Sequence, residues 1–217
     1  MATASWLAPA HAGIAVTSYS MQDGADLHGA YYDNLYNGNR SSGGYLSGGT
    51  GDLTDGVLTA SVSAGYGAWA PYVLWDGQSP VIVFDLGSEY TLSSVTAYFK
   101  YYPQAAVYMP ASVDLRYSND GLNFGSSHLR TLSADERAVP GGDNADGTFE
   151  LITTPGSGRY VQMTLNNGPE NRWIAMSEVV FDGTPGGLSV PEPAGIALVL
   201  TALAAMAGAR RKTTATT

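Results

Sequence analysis

Short runs of alternating apolar and polar residues run through the chain, and none has the 3.6-residue period of an amphipathic helix. Clusters of Gly, Asn, Asp and Ser separate these runs, as expected of turns. About eight short strands with turns between them and no helix predict an all-β fold, a β-sandwich or jelly roll. The predicted strands are Gly13–Ser20, Pro71–Trp75, Val81–Leu86, Leu92–Phe99, Ser112–Tyr117, Thr148–Ile152, Tyr160–Leu165 and Ile174–Phe181.

Individual runs carry more detail. Val81–Leu86 is almost continuously apolar, which predicts a central strand covered on both faces. In Tyr160–Leu165, the Val161, Met163 and Leu165 face is the expected core face. Residues 37–51 are rich in Gly, Ser and Asn and are expected to form a long loop.

The C-terminal end has a different pattern. Pro191-Glu192-Pro193 precedes an uncharged run of 16 residues, 194–209, and Arg210-Arg211-Lys212 follows it. The run is just shorter than the ~17–25 residues of a spanning helix, and the basic cluster would place the C-terminus in the cytoplasm. Taken alone, the run is also compatible with a buried or interfacial helix.

This order of proline motif, apolar run and basic cluster resembles the PEP-CTERM sorting signal. The resemblance implies export, transient anchoring in the inner membrane, and cleavage near Pro-Glu-Pro by an exosortase in a bacterium that makes exopolysaccharide and biofilm. The mature protein would then lie on the cell surface or outside the cell.

The remaining boundaries follow from the two ends. Residues 1–12 end in Ala10-His11-Ala12, an Ala-x-Ala pattern, and are interpreted as the remnant of a signal peptide or otherwise as a disordered N-terminus. Residues 13–183 form the expected single domain and 184–189 a flexible linker. The sorting signal occupies 190–212, with a disordered tail at 213–217.

Charge narrows the choice of partners. The chain has a net charge of −9, and three of its ten basic residues lie in the sorting signal together with one acidic residue. Residues 1–189 therefore carry seven basic and eighteen acidic side chains, a net charge of −11. A body this acidic, with no basic stripe, disfavours nucleic acid as a partner and is compatible with neutral glycans or divalent cations.

Catalysis has little support in the sequence. The chain has no cysteine, its three histidines are scattered, and it contains no His-Glu-x-x-His, Gly-x-Ser-x-Gly or phosphate-loop motif. We therefore do not expect an enzyme.

Six segments in order resemble a known domain. They resemble the coagulation factor 5/8 type C (discoidin) domain, the galactose-binding-like jelly roll shared with family 32 carbohydrate-binding modules, over residues 13–183. The segments are Leu53–Gly56, Val81–Gly87, Leu92–Thr96, Val113–Gly121, Gly158–Met163 and Ser177–Phe181.

The resemblance implies a structural calcium ion held between an early Asp-Gly loop and a glutamate in the last strand. Asp55, Thr59 and Glu178 match those positions, and their oxygen atoms suit a hard cation. The alternative is an ordinary Asp-Gly turn at Asp55 and a solvated Glu178 on an edge strand.

The resemblance also implies a ligand face at one end of the sandwich, where aromatic and polar side chains would contact a sugar. Trp69, Tyr101 and Arg172 are the candidates for this face. The alternative is that the aromatic residues belong to the core and rim of a small sandwich.

Two functions remain open. One is a module that binds carbohydrate, with exopolysaccharide as the expected ligand. The other is a structural or adhesion protein of the biofilm matrix that contacts a protein and has no sugar pocket. An aromatic cleft at the loop end favours the first, and a flat, filled loop end favours the second.

Overall fold

The computed structural model describes residues 13–24, 31–58, 69–138, 145–150, 156–170 and 172–186, with backbone alone for 145–150. All of them lie in the first of two compact units, residues 1–186 and 187–217. The described residues contain ten strands. These are β1 Ser18–Gln22, β2 Asn39–Arg40, β3 Tyr45–Gly49, β4 Val73–Asp76, β5 Val81–Tyr101, β6 Ser112–Ser118, β7 His128–Thr131, β8 Ala145–Glu150, β9 Gly156–Asn166 and β10 Trp173–Pro185.

The long strand β5 joins the two layers of a sandwich. Its first part, Val81–Asp85, lies between β1 and β9 in the layer ordered β2-β3-β1-β5-β9-β6-β7. Its second part, from Tyr90, stays paired with β9 as far as Leu92 and pairs with β10 and β8, and β10 in turn pairs with β4. The register of β5 against β9 shifts between Asp85 and Tyr90, where Gly87 has a φ of 78°. Gly tolerates this left-handed conformation without steric cost, so the strand can change layer there.

The core lies between the two layers. Phe84 of the first part of β5 packs edge-on against Phe181 of β10, with ring centroids 5.1 Å apart. The ring centroid of Tyr19 in β1 lies 5.7 Å from that of Phe84. All three side chains are buried, and burial of such large apolar surfaces is the main term that stabilises a chain without disulfides.

The strand pattern is confirmed for β9 and corrected for the start of β5. Val161, Met163 and Leu165 are all buried, as their alternation predicts. Ile82, Phe84 and Leu86 are also buried, but Val81 is 44% exposed and Val83 is half-buried. The expectation that Val81–Leu86 is covered on both faces is therefore wrong, because only one face of this layer meets the second layer.

Residues 37–51 are not a plain loop. They contain β2 and β3, which pair with each other, while β3 also pairs with β1. Leu46 of β3 is fully buried in the core, and Gly44 and Gly48 take φ values of 77° and 73°. One apolar anchor among glycines is a weak strand signal, which is why the pattern indicates a loop.

Four further elements add to the predicted pattern. Strand β7 completes one edge, a single helical turn (α1, Ala134–Arg137) follows it, and 3-10 turns form at Asp52–Thr54 and Pro103–Ala105. Strand β10 continues to Pro185 by pairing with Tyr90 and Thr91 of β5, so two residues of the expected linker lie in this strand.

Several sequence predictions fall outside the described residues. These are the signal remnant, Thr59, the apolar run and the sorting residues Pro191, Glu192, Pro193, Arg210 and Arg211. Within the described part of the chain, no helix has the length and apolarity needed to cross a bilayer.

Candidate functional site

The ladder between β4 and β10 divides its side chains between two environments. Trp75 and Ile174 point into the main core, and both are fully buried. Leu74 and Ala175 point to the opposite face and belong to a second, smaller apolar cluster. Because successive side chains in a strand alternate between faces, Asp76 and Trp173 lie on the same face as Leu74 and Ala175, at the end of the ladder.

Four aromatic side chains cover this outer face. Trp173 contacts Tyr31 edge-on at 4.9 Å between ring centroids. Trp69 lies 6.2 Å from Tyr31 on one side and 6.2 Å from Tyr102 on the other. We call Tyr31, Trp69, Tyr102 and Trp173 the aromatic wall. The two contacts of Tyr31 are edge-to-face and the Trp69–Tyr102 contact is tilted, at 33° between the ring planes. Aromatic pairs prefer defined orientations of this kind.

Two recesses flank the aromatic wall and share Tyr31 and Trp173. The larger, the outer groove, has a volume of about 970 Å³. Its described lining residues are Gln22, Asp23, Gly24, Tyr31, Tyr32, Arg40, Ser41, Ser42, Gly43, Gly44, Asp76, Gln78 and Trp173. The smaller, the inner cleft, has about 340 Å³ and is lined by Tyr31, Trp69, Leu74, Tyr102, Gln104, Ala105, Val107 and Trp173.

Trp173 and Asp76 stand side by side in the outer groove. They are direct partners in the β4–β10 register, and side chains in such a pair have their Cβ atoms about 4.5–5.5 Å apart. The Asn167 side-chain amide donates to the carbonyl oxygens of Gln78 and Arg172, at 3.2 and 2.8 Å. These bonds fix the backbone on both sides of the pair, so an aromatic face and a carboxylate are presented together.

An ion pair forms the opposite side of the outer groove. The Arg40 guanidinium pairs with the buried Asp23 carboxylate and donates to the carbonyl oxygen of Asp33 at 2.8 Å. It also lies over the Tyr32 ring, 5.6 Å from its centroid. Arg40 is therefore held by three partners and its charge is matched by Asp23.

Backbone fit fixes the loop that carries Tyr31. The Tyr31 carbonyl accepts from the Leu74 amide at 3.2 Å, which ties the loop to β4. A Cβ atom at Gly24 would collide with the carbonyl oxygens of Tyr31 and Leu74. Gly24 is thus required for the close approach of the two backbones that brings Tyr31 against Trp173.

Buried carboxylates accept hydrogen bonds from the loops that form one side of the outer groove. The Asp23 carboxylate accepts from the amides of Gly24 and Asp33, both at 2.8 Å. The Asp33 carboxylate accepts from the Asp52 amide at 2.8 Å and from the Tyr19 hydroxyl. Burial, with the neighbouring Asp33 charge, raises the pKa of Asp52 to about 7, and burial also raises the pKa of Asp33.

The three residues predicted from the sequence for the ligand face lie in three different environments. Trp69 belongs to the aromatic wall and lines the inner cleft, but only 4% of it is exposed. Tyr101 packs against the main core, and Arg172 is exposed. Among the residues that line the two recesses, neither Tyr101 nor Arg172 is present.

The residues that do line the outer groove include several that the sequence did not single out. Trp173 directly follows Arg172 and precedes an apolar strand, which is the signal that could have identified it. Tyr31, Arg40 and Asp76 carry no comparable signal, because loop closure and the register of β4 against β10 bring them together.

Two of the three predicted calcium ligands are brought together. The Gly56 amide, in the loop that Asp55 begins, donates to the Glu178 carboxylate at 2.9 Å. Asp55 is exposed, whereas Glu178 is only 5% exposed, so the expected alternative of a solvated Glu178 is wrong. Burial, with the nearby Asp55 charge, raises the pKa of Glu178 to about 7.

Oxygen atoms other than carboxylates would have to complete such a metal site. The described residues contain no group of three or more His, Asp or Glu side chains close enough to hold a metal ion together. The Leu58 carbonyl lies in the same loop and accepts from the Ser177 hydroxyl. Backbone carbonyls of this kind are ordinary ligands of Ca²⁺ and fit the hard-cation donor set.

Several solved structures match this chain at low sequence identity. The C-terminal domain of a chitobiase from Bacteroides fragilis is 16% identical, with 64% of this chain and 83% of that chain covered and a TM-score of 0.42. A chitosan-binding module of a chitosanase/glucanase from Paenibacillus sp. IK-5 is 15% identical, with 80% of this chain and 100% of that chain covered and a TM-score of 0.42. A fucose-binding module from Streptococcus pneumoniae is 12% identical, with 81% of this chain and 97% of that chain covered and a TM-score of 0.45.

Comparison by sequence is decisive for the family. No curated protein matches the chain significantly. The sequence model of the F5/8 type C domain matches residues 36–179, which is well over half of the chain and runs from β2 into β10. This range includes five of the six segments that resemble the discoidin domain, the first three residues of the sixth, and the paired residues of the β4–β10 ladder. The chain belongs to the F5/8 type C domain family.

Proposed function

We propose that the outer groove binds carbohydrate and that Trp173 is its stacking platform. The observation that carries the proposal is the pairing of a half-buried indole with the exposed Asp76 carboxylate in a recess of about 970 Å³. An indole face attracts the weakly positive C–H groups of a pyranose ring. The carboxylate beside it accepts hydrogen bonds from the hydroxyl groups at the ring edge.

The arrangement is pre-formed. Tyr31 supports the indole edge-on, and the Asn167 bonds hold the backbone that carries Asp76 and Trp173. A rigid site loses little conformational entropy on binding, which favours affinity for ligands with few strong contacts. Its size is within the usual range for small-molecule sites, about 300–1,000 Å³.

A matrix protein without a sugar pocket remains the alternative. That function requires a flat and filled loop end, whereas the outer groove is a recess lined by aromatic and polar side chains. The groove therefore favours carbohydrate binding. Within the proposed function, exopolysaccharide is the ligand expected for a protein that is exported to the cell surface.

We further propose that Asp55, Glu178 and Thr59, with backbone carbonyls of the same loop, hold a structural Ca²⁺ ion. Support comes from Glu178, a buried carboxylate whose pKa is raised by burial and by the Asp55 charge. A cation would offset both effects. When bound, the ion would supply positive charge that ties the loop after the Asp52–Thr54 turn to β10.

The sorting signal completes the proposed function. Pro191, Glu192 and Pro193 would be the recognition motif of an exosortase, and Arg210 and Arg211 would hold the tail in the inner membrane until cleavage. Support rests on the order and spacing of these residues in the sequence. The folded domain would then be released to the cell surface or the surrounding matrix.

Replacing Trp173 with alanine tests the groove. We expect Trp173→Ala to weaken carbohydrate binding by about tenfold to a hundredfold, as the loss of a central aromatic anchor does. The measurement is a glycan array of neutral, amino and acidic oligosaccharides, followed by calorimetric titration of the best-bound glycan into wild type and variant.

The matched control for that test is Tyr160→Ala. Tyr160 is half-buried and stacks on Arg159, and it is not among the groove residues. Binding should survive this change. If no glycan on the array is bound by the folded wild type, or if Trp173→Ala binds as well as wild type, the proposal is wrong.

The pKa of Glu178 gives a second prediction, for the calcium-free protein in chelator. Its pKa rises from 4.5 to about 7, and that of Asp52 from 3.8 to about 7. Between these values the folded protein holds protons that the unfolded chain has lost, so the free energy of unfolding falls as pH rises through this window. Urea denaturation across the window should show this fall, and Glu178→Gln should make it less steep. A flat or rising profile in the wild type contradicts the assignment.

Calcium addition is a third test. Added to the chelated protein at a pH above this window, Ca²⁺ should raise the melting temperature of the wild type, because an ion that binds only the folded state stabilises it. It should have little effect on Glu178→Gln or Asp55→Asn. An unchanged melting temperature in the wild type rules out the calcium site.

The mature C-terminus is a fourth test. Mass spectrometry of the surface protein from its native host should find a chain that ends near Pro191-Glu192-Pro193. A mature protein that retains Arg210-Arg211-Lys212 overturns the sorting proposal, and the groove proposal is unaffected by either result.

A further inference from the structure

The two carboxylates of the outer groove differ in their electrostatic state. Asp23 is 2% exposed and its charge is matched by Arg40. Asp76 is exposed, and the ion pairs found among the described side chains all involve other carboxylates. The groove therefore contains one solvent-accessible negative charge that the described residues leave unmatched.

Asp76 lies where a stacked sugar would present its ring substituents. It is the direct cross-strand partner of Trp173, so a pyranose on the indole face has its edge within reach of the carboxylate. A carboxylate accepts hydrogen bonds from hydroxyl groups, but it binds an ammonium group more strongly, because the hydrogen bond is then charge-assisted.

The wider charge of the domain acts in the same direction. Residues 1–189 carry a net charge of −11. The one basic side chain among the described groove residues, Arg40, is engaged by Asp23, by the Asp33 carbonyl and by the Tyr32 ring. A groove with this field attracts cations and repels anions. A uronic acid or sulfated sugar would be placed against Asp76 with no described free cation to pair with it.

We infer that the outer groove selects glycans that carry a free, protonated amino group, and that Asp76 determines this specificity. Trp173 supplies affinity for the sugar ring in general, while Asp76 ranks amino sugars above neutral sugars and neutral sugars above acidic ones. This inference rests on the proposed function, because it assigns the ligand class of the same groove.

Three oligosaccharides of similar size test the ranking. They are the tetramer of glucosamine, its N-acetylated counterpart and the tetramer of galacturonic acid, titrated into the same protein at a slightly acidic pH and low salt. We expect the glucosamine tetramer to bind best, by about fivefold over the N-acetylated form, and the galacturonic acid tetramer to bind worst. Added salt should reduce the preference.

Asp76→Asn isolates the charge with little change in shape. It should remove the preference for the glucosamine tetramer over the N-acetylglucosamine tetramer, because the neutral amide cannot form a charge-assisted hydrogen bond with an ammonium group. Asp135→Asn, an exposed change of equal charge on α1, should preserve the preference. Loss of the preference in both variants would mean that the overall charge is responsible and Asp76 is not.

The outcomes separate this inference from the proposed function. The amino-sugar inference is overturned if the N-acetylated or the acidic tetramer binds as well as the glucosamine tetramer. It is also overturned if another array glycan binds and neither the glucosamine tetramer nor its N-acetylated counterpart does. In both cases the groove still binds carbohydrate. If no glycan binds at all, the proposed function fails as well.

Discussion

The antiparallel ladder between β4 and β10 assigns neighbouring residues to opposite environments, and the candidate site depends on this division. Trp75 and Ile174 face the main core. Asp76, which follows Trp75, and Trp173, which precedes Ile174, face outward into the groove. A shift of one residue in either strand would exchange these faces. The register is held because the core face of both strands is fully buried, so the same packing that stabilises the sandwich also presents the indole and the carboxylate.

On the other side of the groove, hydrogen bonds from backbone amides to buried carboxylates hold the polar groups in place. Asp23, Asp33 and Asp52 are all buried, which is costly for carboxylates unless they accept hydrogen bonds. Each of them accepts at least one bond from a backbone amide of the loops beside β1. These bonds order loops that have few apolar residues of their own. Arg40, which closes the groove, is fixed on this framework through Asp23 and the Asp33 carbonyl.

Local pattern was sufficient to predict most of the sandwich but little of the site. The alternation at Val161, Met163 and Leu165 identified a core face correctly because the period of a strand is a local property. The β2–β3 hairpin was missed because Leu46 is its one strong apolar anchor. Trp69 and Trp173 both follow polar or glycine-rich segments, so the local sequence does not distinguish them. Tertiary contacts bury Trp69 within the aromatic wall and place Trp173 at the outer groove.

Long-range pairs explain the remaining difference. Arg40 and Asp23 are 17 positions apart, and Asp76 and Trp173 are 97 apart, so no spacing rule links them. Asp55 and Glu178 were linked in advance through the resemblance to the discoidin domain, and the Gly56–Glu178 hydrogen bond places their segments together. Family resemblance thus carried information on distant contacts that residue patterns do not contain.

Nuclear magnetic resonance of the tryptophan side chains tests the central claim most directly. The chain has four tryptophans, and Trp75 is an internal reference because it is fully buried in the main core. On titration of an oligosaccharide that the protein binds, the indole signal of Trp173 should shift with the binding curve while that of Trp75 stays in place. A saturable binding curve with no change at Trp173 would contradict the account.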